Sequence, residues 1–319
     1  MIKKIGILTS GGDAPGMNDA IVGAIRTGFN LNKEMYVIYD GYRGLIEDKI
    51  VKVNKDFARD YMCRGGTIIK SARLPEFKNE EVQLKAVKAL KDKGIDALIV
   101  IGGDGTYMGA KKLTEKGINC VGLPGTIDND IASTEITIGF DTALNTVVTA
   151  IDSIVETSSS HHRCAVVEIM GNNCPDLTLY GGIATNADFI LTADYFMGED
   201  KLIEELKEFK KTNPDHVLIC VAEKLLDTAK LTQRIINEVG FDTRLTILGH
   251  IQRGGSPSAM ERVSALRMGS YAVQLLDQGI GGVCIGNDGN KLIYRDIYDA
   301  LKLPRDKKED LYKVHELLR

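Results

Sequence analysis

The chain has 319 residues, of which 44% are hydrophobic and 26% charged, a composition typical of a globular protein long enough for two domains. Its formal net charge of −4 and the lack of any lysine- or arginine-rich block give no electrostatic basis for nucleic-acid binding. No apolar stretch approaches the roughly 20 residues that span a bilayer, and the amino terminus leads directly into a predicted strand. We therefore expect a cytoplasmic protein without a membrane segment.

Six cysteines are scattered along the chain without C-x-x-C spacing, mostly in apolar segments. This pattern predicts reduced and mostly buried thiols, because a disulfide framework or a zinc site needs clustered cysteines. Five histidines include no H-E-x-x-H pair, which argues against a structural transition-metal site.

In chain order, short apolar strands alternate with amphipathic helices. In the first half, the predicted strands are Lys3–Leu8, Glu34–Tyr39, Ala97–Ile101 and Asn119–Leu123, and the predicted helices follow Asn18, span Glu80–Lys93 and begin at Tyr107. In the second half, the predicted strands are Cys164–Met170, Phe189–Ala193, Val217–Ala222 and Thr243–Gly249, and the predicted helices are Thr142–Val155, Pro175–Thr185, Glu199–Lys211, Leu225–Val239 and Ala259–Leu276. The alternation predicts two αβ lobes with mainly parallel sheets.

Glycine-rich loops follow three of the predicted strands. They are TSGGDAPGMN (Thr9–Asn18), GGDGT (Gly102–Thr106) and GLPGTIDND (Gly122–Asp130). Glycines allow a phosphate to approach the backbone, a following helix offers free N–H groups, and Asp104 could hold Mg²⁺ near the phosphate oxygens. A single loop of this kind is often only a βα turn, but three at one sheet edge predict a crevice that binds a nucleotide phosphate chain.

Two carboxylates two residues apart, Asp128 and Asp130, distinguish the third loop. One can take a proton while the other holds a cation or orients its neighbour, although Asx-rich loops are also often plain turns. Another glycine loop, Gly249–Pro257, carries His250 and Arg253. Further candidates for phosphate contacts, each of which could equally be an exposed surface residue, are Arg73, Arg163 and Arg244.

Together these blocks resemble the bacterial ATP-dependent 6-phosphofructokinases over essentially the whole chain. GGDGT alone is a weak marker, whereas PGTIDND together with GHIQRGGSP is highly specific. The resemblance implies transfer of the ATP γ-phosphoryl group to the 1-hydroxyl of fructose 6-phosphate, giving fructose 1,6-bisphosphate in glycolysis. It also implies two Rossmann-like αβ lobes with the active site in the cleft between them, and a homotetramer whose active sites are shared between subunits. The implied lobes are residues 1–138 with 251–301 for ATP, and residues 139–250 with 302–319 for the sugar phosphate.

The resemblance assigns roles residue by residue. Asp128 would be the base, Thr126 a donor to the transferring phosphoryl group, Asp130 a support for the geometry, and Asp104 the ligand of Mg²⁺, with Gly12 and Arg73 completing the catalytic group. The ATP site would comprise Gly12, Tyr42, Arg73, Leu74, Gly103, Asp104, Gly105 and Thr106. The sugar-phosphate site would comprise Thr126, Ile127, Asp128, Arg163, Met170, Gly171, Asn172, Glu223, Arg244, His250, Ile251, Gln252 and Arg253, with Arg163 and Arg244 supplied by a neighbouring subunit.

Several positions depart from the family pattern. Asn172 stands where arginine is usual, and Leu74 where phenylalanine is common. The cations of the ADP and phosphoenolpyruvate effector site are replaced at Val22, Val155 and Thr212–Asp215, which predicts weakened allostery.

Two alternative functions stay open at this point. A pyrophosphate-dependent phosphofructokinase typically has Asp and Lys where this chain has Gly105 and Gly125, so the two glycines favour ATP as the donor. A catalytically inactive nucleotide- or sugar-phosphate-binding regulator would not need Asp104, Thr126 and Asp128.

Overall fold

The computed structural model describes residues 2–319, in which strands and helices alternate. The strands are β1 Lys4–Thr9, β2 Glu34–Ile38, β3 Ile50–Lys52, β4 Ala97–Gly102, β5 Asn119–Thr126, β6 Ile138–Gly139, β7 Cys164–Ile169, β8 Phe189–Leu191, β9 Val217–Ala222, β10 Thr243–Ile247, β11 Val283–Asp288 and β12 Lys291–Asp296. The helices are α1 Met17–Asn30, α2 Gly41–Ile46, α3 Glu80–Asp92, α4 Asp104–Thr114, α5 Phe140–Ser159, α6 Asp176–Ala184, α7 Glu199–Lys210, α8 Thr228–Arg234, α9 Ala259–Asp277, α10 Ile297–Ala300 and α11 Glu309–Leu318. Short 3₁₀ helices lie at Arg59–Tyr61, Pro75–Lys78 and Gly249–Arg253, and a π-helical turn spans Ile235–Val239.

The chain forms two compact units, each built from two separate stretches of sequence. The first unit runs to Thr142 and resumes over Arg253–Arg305, and the second comprises Ala143–Gln252 and Asp306–Arg319. The chain therefore enters the second unit within α5 and returns to the first just before α9.

The first unit is organised around a sheet in the order β12-β11-β5-β4-β1-β2-β3, with β6 paired to the end of β5. The five central strands are parallel, whereas β3 and β12 pair antiparallel at the edges. Every residue of β4 is buried, as expected for a strand covered by helices on both faces. The predicted mainly parallel αβ architecture is confirmed.

Helices α1 and α9 pack very closely on one face of this sheet. A Cβ at Gly23 would lie 2.4 Å from the carbonyl oxygen of Leu266, and a Cβ at Gly269 would lie 2.1 Å from the carbonyl oxygen of Ala20. Only glycine fits at either position, so these two residues fix how near the helix backbones come.

The second unit has a four-stranded, all-parallel sheet in the order β10-β7-β9-β8. Its core joins the buried faces of these strands to α7 and α8. Helix α11 packs on the β8 side, where the His315 ring donates to the carbonyl oxygen of Ala187 at 2.8 Å and the Arg319 guanidinium lies over the Phe189 ring.

Some predicted boundaries were wrong. Helix α4 begins at Asp104, not Tyr107, so the aspartate of GGDGT lies in its first turn. The predicted helix Leu225–Val239 begins only at Thr228, because the Asp227 side chain caps it by accepting from the backbone N–H of Lys230. The strands β3 and β12 were not predicted, since their short and largely exposed sequences show no alternation of apolar and polar residues.

All six cysteines are free thiols, and five of them are buried, as predicted. Burial raises the pKa of the Cys120, Cys164 and Cys220 thiols to about 12, so these groups stay protonated and inert. Within residues 2–319, no helix is both long and apolar enough to cross a membrane.

Candidate active site

Three loops leave neighbouring parallel strands at the same edge of the first unit's sheet. β5, β4 and β1 are adjacent, and their carboxyl ends lead into GTIDND, GGDGT and TSGGDAPG. Two hydrogen bonds join the ends of β1 and β4. Ser10 N–H donates to the Ile101 carbonyl, and Thr106 Oγ1 donates to the Ser10 carbonyl, both at 3.0 Å. The glycine loops predicted from sequence are therefore confirmed as neighbours.

The GGDGT loop leaves open space beside its backbone. No atom lies within 4 Å of where a Cβ would stand at Gly103 or Gly105. Asp104 is exposed in the first turn of α4, where partial desolvation raises the pKa of its carboxyl group. An open backbone, free N–H groups at a helix start and one carboxylate suit an anionic ligand together with a divalent cation.

The first glycine loop lies against an arginine from the other stretch of the same unit. A Cβ at Gly12 would stand 2.4 Å from Nη1 of Arg253, so the guanidinium occupies the place that a side chain would take. This contact brings a cation from the GHIQRGGSP segment to the loop that follows β1, although about 240 residues separate the two in sequence.

Two residues that the resemblance assigns to the ATP site pack within the protein beside the GGDGT loop and the core. Tyr42 is buried, and its hydroxyl donates to the Thr106 carbonyl at 2.6 Å. Leu74 packs against the hydrophobic core. Arg73 is exposed, and its carbonyl oxygen accepts from Arg43 at 3.1 Å.

The carboxylate loop after β5 is ordered by its own side chains. Thr126 Oγ1 accepts from the backbone N–H of Asp128 at 3.1 Å. Asn129 has a left-handed backbone (φ 53°), accepts from Thr137 N–H at 2.9 Å and donates to the Glu135 carbonyl at 3.1 Å. These bonds hold the turn that presents the candidate base.

The neighbouring residues of that loop differ in exposure. Asp128 is only 8% exposed and Ile127 is completely buried, whereas Thr126 and Asp130 are half-buried. The Ile127 side chain therefore anchors the loop in the core. A nearly buried carboxylate at the end of a central strand has the setting of a general base.

Polar groups in the second unit also gather at the carboxyl ends of parallel strands. After β7, the backbone N–H groups of Gly171 and Asn172 donate to Glu223 at the end of β9, at 3.2 and 2.6 Å. Met170 N–H donates to the Gln252 side chain at 3.1 Å. A cavity of about 120 Å³ lies here, with Met170, Glu223 and His250 in its wall.

Not every predicted residue of this group reaches the cavity. Asn172 has a left-handed backbone (φ 58°), and its side-chain oxygen accepts from Lys224. Ile251 is exposed, with 58% of its surface accessible, and Gln252 is fully buried. Lys224 was not predicted as a site residue from the sequence. It directly follows Glu223, and its ammonium group could supply the positive charge that Asn172 lacks.

Arg163 directly precedes β7, and Arg244 lies on the neighbouring strand β10 of the second unit. Both bind the carboxylate of Asp242, Arg163 through Nε at 2.8 Å and Arg244 through Nη1 at 2.7 Å. The hydrogen bond from Arg163 is the main cause that lowers the pKa of the Asp242 carboxyl group. Sequence reasoning missed Asp242, yet its position two residues before Arg244 was a usable signal. Two guanidinium groups held by one carboxylate can rearrange to bind a phosphate.

The fold and these sites define a phosphate-binding α/β protein with a buried carboxylate available for acid–base chemistry. The phosphofructokinase family model matches residues 4–276. The chain belongs to the phosphofructokinase family.

Curated relatives match along the whole chain. It is 52% identical over 319 residues to an ATP-dependent 6-phosphofructokinase of Vibrio cholerae and 50% identical to one of Photobacterium profundum, in both cases covering 100% of each sequence.

Solved structures agree with this assignment. A phosphofructokinase from Saccharomyces cerevisiae is similar with a TM-score of 0.90 and 32% identity over 98% of this chain, which spans 50% of that longer chain. A pyrophosphate-dependent phosphofructokinase from Marinobacter aquaeolei shares the fold, with a TM-score of 0.85 at 16% identity over 99% of this chain and 91% of that chain.

Proposed function

We propose that this chain is an ATP-dependent 6-phosphofructokinase, which transfers the γ-phosphoryl group of ATP to the 1-hydroxyl of fructose 6-phosphate. The observation that carries the proposal is the meeting of the GGDGT and GTIDND loops at adjacent strand ends, in a chain half identical to enzymes of that name over their full length. Such an arrangement supplies both phosphate binding and a base.

In this proposal, Asp128 accepts the proton of the attacking hydroxyl, and Thr126, whose Oγ1 is held at the Asp128 backbone, donates to the transferring phosphoryl group. Arg253 and the backbone at Gly12 meet the phosphate chain. Asp130 supports the geometry of the loop. Residues of the second unit bind the sugar phosphate, with Glu223 and His250 toward the sugar hydroxyls.

The cofactor we propose is Mg²⁺ bound at Asp104. The site fits the ion because one exposed carboxylate, with open space at both flanking glycines, leaves room for waters and phosphate oxygens as the other ligands. When bound, the ion neutralises charge on the β- and γ-phosphates.

We further propose a homotetramer in which Arg163 and Arg244 serve the sugar-phosphate site of a neighbouring subunit. Their pairing with Asp242 supports this role, because it holds two guanidinium groups together and partly exposed. Analytical ultracentrifugation tests the oligomeric state, and a monomer that retains full activity contradicts the shared site.

A coupled assay on fructose 6-phosphate tests the function. We expect product with Mg²⁺ and ATP, none with pyrophosphate as donor, and none when Mg²⁺ is chelated. Turnover with pyrophosphate alone would refute the assignment of the donor, and no turnover with either donor would refute the proposed activity. Gly125 supports ATP as the donor, because a Cβ at this position would stand 2.9 Å from the Ile101 and Met17 side chains and a lysine there would displace them.

A further inference from the structure

Glu261, in the first turn of α9, is a buried acid that the proposed reaction does not use. Its side chain is 2% exposed. The carboxylate accepts from the backbone N–H and from Oγ1 of Thr142, each at 3.3 Å, and the nearby backbone N–H of Gly139 helps to lower the pKa of the carboxyl group. These donors belong to β6 and to the first turn of α5, so Glu261 satisfies N–H groups at the start of a helix distant in sequence.

The stretch that Glu261 contacts, residues 139–142, begins in the strand that pairs with the start of the GTIDND loop. Gly139 belongs to the short strand β6, which pairs with Gly125 and Thr126 at the end of β5. Thr137 Oγ1 also donates to the Thr126 carbonyl at 2.7 Å. The Glu261 carboxylate is therefore connected to the turn that carries Asp128 in two steps. It binds Thr142, and the preceding residues 137–139 bind the end of β5 at Gly125 and Thr126.

The same side chain also touches the first glycine loop. A Cβ at Gly16, the residue before α1, would lie 3.0 Å from Cγ of Glu261, and a Cβ at Gly139 would lie 2.5 Å from Cβ of Ala14. Glycines at 16 and 139 are what allow the three segments to approach. Glu261 lies where the loops after β1 and β5 meet.

We propose that Glu261 is a positioning residue for phosphoryl transfer, whose ionised carboxylate holds the Thr126–Thr142 segment, and with it Asp128, in the reactive geometry. The kinetic part of this inference rests on the proposed function. A second contact reinforces the anchor, since Ser258 N–H donates to Thr142 Oγ1 at 3.1 Å and Ser258 Oγ accepts from Glu261 N–H at 3.1 Å.

The charge on Glu261 is unfavourable for folding, which is the expected signature of a group retained for function. Burial, with a smaller contribution from the neighbouring Asp141 carboxylate, raises the pKa of its carboxyl group to about 7 in spite of the N–H donors that lower it. The charged groups on the packed helices also include Asp19 and Arg26 on α1 and Arg262, Arg267 and Asp277 on α9, of which Arg262 acts on the Asp19 carboxyl group. Ionisation of Glu261 around neutral pH therefore supplies the charge that holds the Thr126–Thr142 segment and lowers the stability of the folded protein.

Glu261→Gln separates these effects, with Glu115→Gln, an exposed glutamate of the same unit, as the matched control. At pH 8 we expect Glu261→Gln to lower kcat about tenfold, with both KM values within about twofold and a thermal midpoint equal to or above that of the unchanged protein. Glu261→Asp keeps the charge and should recover part of kcat. A kcat that stays within twofold, or that falls only together with the thermal midpoint, overturns the proposal.

The pH profile gives a second readout. We expect kcat of the unchanged protein to rise between pH 6 and 8 with a midpoint near 7, and this rise to be absent in Glu261→Gln. A midpoint near 7 that persists in the variant contradicts the role of the Glu261 charge.

Hydrogen exchange provides a test that does not depend on activity. Peptides covering residues 126–142 should exchange faster in Glu261→Gln than in the control, and unchanged exchange overturns the anchor. If the unchanged protein lacks kinase activity while exchange responds, the proposed function fails and the anchor stands.

Discussion

Asp19 is a fully buried carboxyl group on α1, and replacing it with asparagine should stabilise the protein by an amount that grows with pH. Its exposure is 0%, and among residues 2–319 neither carboxylate oxygen receives a hydrogen bond from another side chain or backbone group. Burial raises the pKa of this carboxyl group to about 6 from a usual 3.8, although the Arg262 guanidinium opposes the shift. The folded protein thus keeps a proton that the unfolded chain releases.

The sign and size follow from this difference in pKa. Between pH 3.8 and 6 the folded state binds more protons than the unfolded state, so stability falls as pH rises through this window. The penalty is absent well below pH 3.8, reaches about 1.5 kcal/mol at pH 5 and levels off near about 3 kcal/mol above pH 6. Asp19→Asn removes the ionisation and keeps the shape.

Thermal unfolding at pH 5 and pH 8 measures the effect. The gain in midpoint for Asp19→Asn should be larger at pH 8 by roughly 3–6 °C, given about 2–4 °C per kcal/mol for a unit of this size. Asp92→Asn, at an exposed position on α3 of the same unit, should show no such pH dependence. A gain that is equal at both pH values, or a loss at pH 8, would refute the reasoning that the charge is buried without compensation.

Three further predictions concern activity and regulation. Asp128→Asn should lower kcat by ~10²–10⁴-fold with little change in fructose 6-phosphate binding, and a near-normal kcat would move the base to another residue. Arg163→Ala and Arg244→Ala should each weaken fructose 6-phosphate by about 1.5–3 kcal/mol and leave the KM for ATP nearly unchanged, so equal damage to both substrates would count against the assignment. ADP and phosphoenolpyruvate, titrated at subsaturating sugar phosphate and high ATP, should change the rate little, and clear activation or inhibition would mean that the effector site is intact.

The regulatory prediction depends on lysines that could replace the missing cations. Lys210 donates to the carbonyl oxygens of Val239 and Gly240 at 2.8 and 2.7 Å, and Lys211 pairs with Glu208 at 2.7 Å. Both ammonium groups are therefore engaged elsewhere, and an effector phosphate would have to break these contacts first. Val22, one of the substituted positions, is buried.

The strands and loops whose sequences show a clear local pattern could be predicted from the sequence. Ala97–Ile101 is a continuous apolar run before glycines, so both the buried strand and the phosphate loop could be predicted. The neighbouring positions of the loops could be predicted because parallel strands place their carboxyl ends on one edge.

Contacts that depend on tertiary structure could not be predicted in this way. Glu261 has the position of an ordinary first-turn glutamate, and its burial depends on Thr142, which is 119 residues away in sequence. Tyr42 is assigned to the ATP site only through the resemblance, and no local pattern indicates that its hydroxyl donates to the Thr106 carbonyl. Local periodicity carries no information about which polar side chain a distant segment will cover.

The close glycine contact between α1 and α9 has a consequence for how the chain folds during synthesis. The ribosome completes α1 long before Gly269 is made, and the second unit is translated in between. Until α9 emerges, the α1 surface around Gly23 and Asp19 has no partner, and the first unit lacks the helix that closes its core. The second unit's longer stretch, Ala143–Gln252, is then complete in the nascent chain while the earlier-synthesised unit still waits for its final helix. The first unit can therefore complete its core only after the stretch Ala143–Gln252 has been translated, and until then the α1 surface that α9 covers stays exposed in the nascent chain.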